Sequence, residues 1–338
     1  MPRRPARERR RSVAKGAHCR RDDVKPEHSL AKVWLAKLYL GKGGGSVRSA
    51  RAGLRHAVTA DRAAREPVRL YHRVMFDRYL DLWGLVPDGG PILTASGGLL
   101  PVVWRARPAM LKVATCDEER RGNALMAWWN GQGAAQVWRH DGDAILLERA
   151  QPAPSLAALS AAGHDDDTMR IACDVVARLH AHRAPQVPAV VPLHDWFYAL
   201  LSSDADHDAL RCSAAVARQL LAKPSVDEVV LHGDIHHDNI LHFDDRGWRA
   251  IDPKGLRGER TFDYANLFCN PAHDIAVDPV RFERRIVLVA DAARLDRRRL
   301  LQWILAWSGL SAVWLIEDEL PPDTRLQIAA LAAAALDR

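Results

Sequence analysis

Apolar positions divide the chain into three unequal stretches. Residues 1–65 show no sustained period, so neither a strand face nor a helix face is specified there. From about Met75 to Ala150 the apolar residues come in short runs broken by turn chemistry. Leu99–Trp104 and Ala109–Ala114 flank a turn containing Pro108, and Ala135–Arg139 and Ala144–Glu148 flank Asp141-Gly142-Asp143. Each pair predicts a β-hairpin. Between them Asp117 is a candidate helix cap, with Glu118 and Glu119 in the first turn and Asn130-Gly131 as the stop.

Beyond Gln151 the helical period takes over. Ile171, Val175, Val176 and Leu179 share one face over Met169–His182, and Asp208–Leu221 follows the same rule. Val229–Ile251 carries the clear β signal of this half, and helices are expected again near 262–269, 279–293, 297–316 and 323–336. The pattern predicts an α+β chain. It has a small β-rich lobe over residues 75–150, a connector near 148–155 and a larger helical lobe over 151–338.

Composition adds an asymmetry. The 338-residue chain has a formal charge of +6, but residues 1–65 hold 18 Lys and Arg against 5 Asp and Glu, net +13. Residues 66–338 hold 30 against 37, net −7. The basic character therefore belongs to a tail read as disordered. Because organised sequence begins close to Met75, the native start is expected downstream of the tail. An acidic body lacks the basic face that a nucleic-acid groove needs and suits a cationic small molecule. No protein partner is implied.

Five cysteines, Cys19, Cys116, Cys173, Cys212 and Cys269, form no C-x-x-C pair, which fits a reducing compartment. Arg-rich residues 3–11 resemble the front of a signal peptide, but Lys32 and Lys37 interrupt the apolar run Leu30–Leu40 that would have to follow. No run approaches the length of a membrane span, so the expected location is the cytoplasm, with no membrane contact.

The chemistry concentrates in one stretch. Val229-Val230-Leu231 reads as a short strand entering His232-Gly233-Asp234, with Asn239 five residues after Asp234. Ile240–Phe243 and Trp248–Ile251 then flank Asp244-Asp245-Arg246-Gly247, a turn between two strands. Pairing Phe243 with Trp248 would set Asn239 directly opposite Asp252, their Cα atoms ~5 Å apart. An amide oxygen and a carboxylate would then project together, a hard-oxygen donor set of the kind Mg²⁺ takes. Asp234 would return to the same mouth, free to orient a hydroxyl or accept its proton.

The offsets of Asn239 and Asp252 from Asp234 match the catalytic loop and metal-binding Asp of protein-kinase-like enzymes. Two other readings compete. Asp and Asn beside turns often cap their own backbone, and His232, His236 and His237 among carboxylates suggest zinc. No single periodicity puts the three imidazoles on one face, and zinc leaves Asn239 and Asp252 unexplained.

With these residues in hand the chain resembles the aminoglycoside phosphotransferases, in particular the streptomycin 6-kinase and hydroxyurea-kinase branch. The resemblance rests on Leu231-His-Gly-Asp-Ile-His-His-Asp-Asn-Ile240, on Ile251-Asp-Pro-Lys-Gly-Leu-Arg-Gly-Glu259 and on Phe262-Asp-Tyr-Ala-Asn-Leu-Phe268. It runs from about residue 75 to the C-terminus and implies a protein-kinase-like two-lobe fold using ATP and Mg²⁺. By resemblance Asp234 is the catalytic base, and Asn239 and Asp252 hold the metal. Lys112 looks like the lysine that grips the α- and β-phosphates, Glu119 like its helix partner with Glu118 as runner-up, and Glu148–Ala150 like the connector whose backbone meets adenine.

Thr94-Ala95-Ser96-Gly97-Gly98 stands where a phosphate loop belongs, but the G-x-G-x-x-G signature is absent; Ser96 remains a candidate phosphate donor. A streptomycin-type acceptor carries guanidinium groups, so acceptor-side carboxylates are expected among Glu259, Asp263, Glu317, Asp318 and Glu319. The rival readings are a kinase of hydroxyurea or of another small alcohol, and a kinase-like scaffold that binds through its basic tail.

Overall fold

The computed structural model describes residues 75–152, 155–204, 207–222 and 227–338. The tail expected over residues 1–65 lies outside the described residues. A helical stretch, α1 (75–83), opens the described chain. The strands β1 (Val86–Pro87), β2 (Ile92–Thr94), β3 (Gly97–Trp104), β4 (Arg107–Ala114), β5 (Val137–Asp141) and β6 (Ala144–Glu148) form one sheet ordered β1-β3-β4-β6-β5, with β2 also paired to β3. Both expected hairpins are present. The first turns at Arg105-Ala106, both in the left-handed region, and Pro108 sits inside β4 opposite Val103.

Alternation gives this sheet two apolar faces. Leu100, Leu111 and Leu146 point toward Phe76 and Tyr79 of α1. Leu99, Met110, Ile145 and Leu147 point the other way, toward Leu125, Met126 and Trp129 of α2 (Asp117–Trp129). Lys112, two residues from Met110, shares this second face. Helix α2 starts one residue earlier than a cap at Asp117 implies: Cys116 occupies the cap and Asp117 the first helical position. It ends at Asn130 in the left-handed conformation, as the Asn-Gly stop predicts.

The second lobe is mainly helical: α3 (Asp165–Ala181), α4 (Asp208–Leu221), α5 (Pro279–Ala293), α6 (Arg297–Glu317) and α7 (Asp323–Leu336). Asp278 and Asp296 cap α5 and α6 through their side chains, which is why those helices begin where the sequence predicts. Helix α6 corrects the expectation that no run reaches membrane-spanning length. Its 21 residues pass that test by length and composition, yet 72% of its most apolar window is buried inside the protein. It is the core helix of this lobe, carrying Trp303, Ile304, Trp307 and Leu310 into the interior.

Two small sheets position the motif. The strands β7 (Val191–Pro192), β8 (Glu228–Leu231) and β11 (Leu256–Glu259) form one, with β11 between the other two, while β9 (Ile240–Phe243) and β10 (Gly247–Ala250) form a hairpin. Short strands β7 and β11 carry too few residues for alternation to announce them. The segment near 262–269 is a 3₁₀ helix over Arg260–Cys269, fully buried from Thr261 onward.

Candidate active site

Lys112 reaches across the lobe boundary. Its amine donates to Asp252 Oδ1 at 2.6 Å and also pairs with Glu119 of α2. Burial alone would push this amine down, but the charges of Asp252 and Glu119 outweigh it and hold the amine above its ordinary value. Ser96 donates to the other Glu119 oxygen at 3.2 Å, so its hydroxyl supports the helix carboxylate. Gly97 and Gly98 belong to strand β3, where Gly97 pairs with Ala114 and Gly98 with Val113. The expected phosphate loop is thus a tight turn at Ala95-Ser96.

The lobes approach closely behind this cluster. A Cβ on Gly122 would stand 2.4 Å from the Pro253 carbonyl oxygen, so α2 can lie against the Asp252-Pro253 segment only with glycine there.

The loop 232–239 joins β8 to β9 and is fixed from beneath by Asp263. The Asp263 carboxylate accepts the backbone N–H of His232 at 2.9 Å and of Gly233 at 2.8 Å, and is paired with His180 Nε2 at 2.8 Å. Asp263 is 2% exposed, which corrects its nomination as an acceptor-side carboxylate: it anchors the loop. Asp234 is held by two side-chain amides, Asn266 Nδ2 to Oδ1 at 3.0 Å and Asn239 Nδ2 to Oδ2 at 3.3 Å. Asn266 in turn accepts from Trp307 Nε1 at 3.0 Å and Asn270 Nδ2 at 3.1 Å. Sequence reasoning missed Asn266. In a 3₁₀ helix residues i and i+3 eclipse, so its spacing from Asp263 was a usable signal once the helix type was known.

The hairpin register differs by one from the expected pairing. Phe243 pairs with Gly247 and Ile240 with Ala250, so Asn239 faces Ile251, whose N–H donates to the Asn239 carbonyl at 2.9 Å. The reason is a three-residue 3₁₀ turn, Asp244–Arg246, followed by Gly247 at φ 67°. Asp252 instead leaves the hairpin at φ 61°, a left-handed conformation costing ~1–2 kcal/mol outside glycine, and its carboxylate meets Lys112. Burial would raise that carboxyl, but Lys112 and Lys254 hold it well below the usual carboxylate range. Asn239 Oδ1 is buried and meets no hydrogen-bond donor. An unclaimed amide oxygen and a carboxylate remain at the site, a donor set that fits a hard cation.

The three histidines do not converge. His232 Nε2 donates to the Ile251 carbonyl at 2.8 Å while its Nδ1 accepts the Asp234 N–H at 3.2 Å, the bonds of a neutral ring. His236 Nδ1 accepts the Asp238 N–H. His237 is buried with neither ring nitrogen meeting a protein partner, and burial pushes its imidazole down to about 3. Among the described residues no group of three or more His, Cys, Asp or Glu side chains is arranged to hold a metal.

Other nominated residues lie apart. Glu259 is 7% exposed and forms a bidentate pair with Arg299 of α6, which removes it from the acceptor side. Glu317 and Asp318 sit at the end of α6. Trp314, near them, packs edge-on against Trp307 and Trp196. Glu148 accepts the Gln136 N–H at 2.6 Å, and past Ala150 the chain rejoins β9 through Gln151 N–H to the His242 carbonyl. Glu118, the runner-up for Lys112, pairs with Lys254 at 3.0 Å.

Residues 82–319 match the sequence profile of the aminoglycoside/hydroxyurea antibiotic resistance kinases. The chain belongs to this family. This resistance-kinase relative is 48% identical over 244 residues to the streptomycin 3''-kinase of Klebsiella pneumoniae, covering 71% of this chain and 91% of that protein. It is 29% identical over 286 residues to the streptomycin 6-kinase of Streptomyces griseus, covering 76% and 87%. The fold of the family member is shared with a thermostable mutant of the aminoglycoside phosphotransferase APH(4)-Ia. The TM-score is 0.56 at 13% identity, over 78% of this chain and 99% of that one. The chain is a small-molecule kinase with the two-lobe architecture expected from its motif.

Proposed function

We propose that the protein transfers the γ-phosphoryl group of MgATP to a hydroxyl of streptomycin. The observation that carries this reading is the 48% identity extending over 91% of a streptomycin kinase. The Lys112, Glu119, Asp234, Asn239 and Asp252 set supports it. Lys112 is suited to the α- and β-phosphates, and the Glu148–Ala150 backbone to adenine. Asn239 Oδ1 and Asp252 would hold Mg²⁺, which when bound supplies charge neutralisation at the phosphates. Asp234, steadied by Asn239 and Asn266, orients the attacking hydroxyl and takes its proton. The bond from the γ-phosphorus to the ADP oxygen breaks as the bond to the substrate oxygen forms, with no covalent enzyme intermediate.

The acidic body favours a cationic acceptor, with Glu317, Asp318 and Glu319 as its remaining carboxylate candidates. Residues 75–150 serve as the nucleotide lobe and 151–338 as the catalytic and acceptor lobe. The cytoplasm supplies the ATP and the reducing conditions suited to cysteines that form no C-x-x-C pair. The streptomycin kinases among the relatives are named for different hydroxyls, so product structure must assign the position.

ATP consumption by the purified protein should be stimulated by streptomycin in a Mg²⁺-dependent way. NMR of the product should show one added phosphoryl group and its position. Stimulation by hydroxyurea or another alcohol but not by streptomycin would overturn the acceptor, and stimulation by none would overturn the activity.

A further inference from the structure

Lys254 is a site residue that motif spacing did not reveal. It lies two positions beyond Asp252, and its backbone N–H donates to the His232 carbonyl at 2.7 Å. Its Cβ would stand 3.2 Å from a Cβ built on Gly233, so the root of its side chain lies against the residue preceding Asp234. From the other lobe, Arg121 Nε donates to the Lys254 carbonyl at 3.1 Å and Glu118 Oε1 meets the amine at 3.0 Å. The backbone is thus tied to the catalytic loop while the charged head lies between the lobes. The carboxylates acting on that head are Glu118, Glu119, Asp252 and Asp234.

Such a cation can be a strut between lobes or a ligand for a phosphate. Lys112 is committed to two carboxylates, Asp252 and Glu119. The Lys254 side chain leaves the backbone against Gly233, next to Asp234 and two residues after Asp252, and ends at Glu118 of α2, so it runs from the hydroxyl side of the site to the lobe boundary where the phosphates would lie. Its Glu118 partner is 38% exposed against 22% for Lys254, so the pair opens to solvent on the Glu118 side and a phosphate oxygen can take the place of that carboxylate. Phosphoryl transfer spreads negative charge over three oxygens, and a fixed cation there lowers the barrier.

Resting on the kinase reading above, we infer that Lys254 binds the γ-phosphoryl group of the nucleotide, exchanging Glu118 for it. During transfer the γ-phosphorus leaves the ADP oxygen for the substrate oxygen and the hydroxyl proton goes to Asp234. Lys254 keeps its own proton and supplies charge only.

Calorimetric binding of ADP and of a non-hydrolysable ATP analogue, each with Mg²⁺, separates strut from ligand without any turnover. Lys254→Met should weaken the analogue ~10-fold or more relative to ADP, because a charge-assisted bond to the γ group is lost. The turnover of the same variant should fall ~10²–10³-fold. Lys254→Arg should recover part of both, and Lys254→Gln serves in place of Met if that variant does not fold. Glu118→Gln, which removes the strut but leaves the cation, should keep the wild-type ratio of affinities. Equal weakening of both nucleotides, an unchanged ratio in Lys254→Met, or the same loss in Glu118→Gln would overturn the inference. A wild-type protein that binds both nucleotides but responds to no acceptor would refute the proposed function alone. One that binds neither refutes both.

Discussion

Lys112 and Arg285 are both buried cations held by carboxylates, one at the lobe boundary and the other inside the helical lobe, at 6% and 2% exposure. Arg285 of α5 forms a fork with Asp165 of α3 at 2.8 and 2.6 Å and also donates to the Asn270 carbonyl at 2.8 Å. Asp165 receives Ser160 as well. That cluster is closed: the pair is bidentate, and the remaining Arg285 donors meet the Leu267 and Asn270 carbonyls. Around Lys112 the arrangement is open. A single amine serves two carboxylates, Asp252 is held in a left-handed conformation, and Asn239 Oδ1 has no donor. A closed cluster fixes two helices, whereas an open one retains polar atoms for a ligand that brings charge of its own.

The largest effect is expected at Asp234, on the open side. Asp234→Ala should lower turnover ~10²–10⁴-fold by removing the group proposed to orient and deprotonate the hydroxyl. Nucleotide affinity and the thermal midpoint should stay near wild type, and steady-state kinetics with a calorimetric titration checks both.

On the closed side the loss should appear in stability instead. Asp165→Asn leaves Arg285 buried and uncompensated, and should cost ~3–5 kcal/mol in denaturant unfolding, with the KM of the folded fraction unchanged. The pH dependence has a definite sign. Burial raises the Asp165 carboxyl, but Arg285 outweighs it and the net value lies below the ordinary one. Its contribution is therefore complete above the unfolded carboxylate pKa of ~3.9 and is lost as pH falls through the lower native value. Below about pH 4 the wild type should lose stability faster than Asp165→Asn.

The smallest effect sharpens the boundary between the two regions. Asn266 links core Trp307 to Asp234, the base proposed above. Asn266→Ala should reduce kcat ~10-fold with little change in nucleotide KM, and should cost ~1–2 kcal/mol of stability by stranding the Trp307 N–H. A loss of stability with kcat intact would make Asn266 a purely structural residue.

Much of the fold was legible because local rules agree with it. The Asp-capped starts of α5 and α6, the Asn-Gly end of α2 and the alternation through β3 to β6 all stand where the chain announces them. The hairpin register did not, because one residue of turn length decides it and Gly247 permits the shorter turn. The apolar run that makes α6 a core helix is equally apparent in sequence, but only its neighbours show what covers it.

By itself the sequence determined which groups could do chemistry: Asp234, Asn239 and Asp252 at kinase offsets, with a lysine strand ahead of an acidic helix. Only the tertiary structure decided which charge meets which. Lys112 and Asp252 lie 140 positions apart, Asp165 and Arg285 120, and Arg299 and Glu259 40. Such pairings depend on how lobes and helices dock, which no local pattern encodes. That is why Glu259 and Asp263, equally acidic in sequence, turned inward to hold the scaffold, while Lys254 emerged at the site.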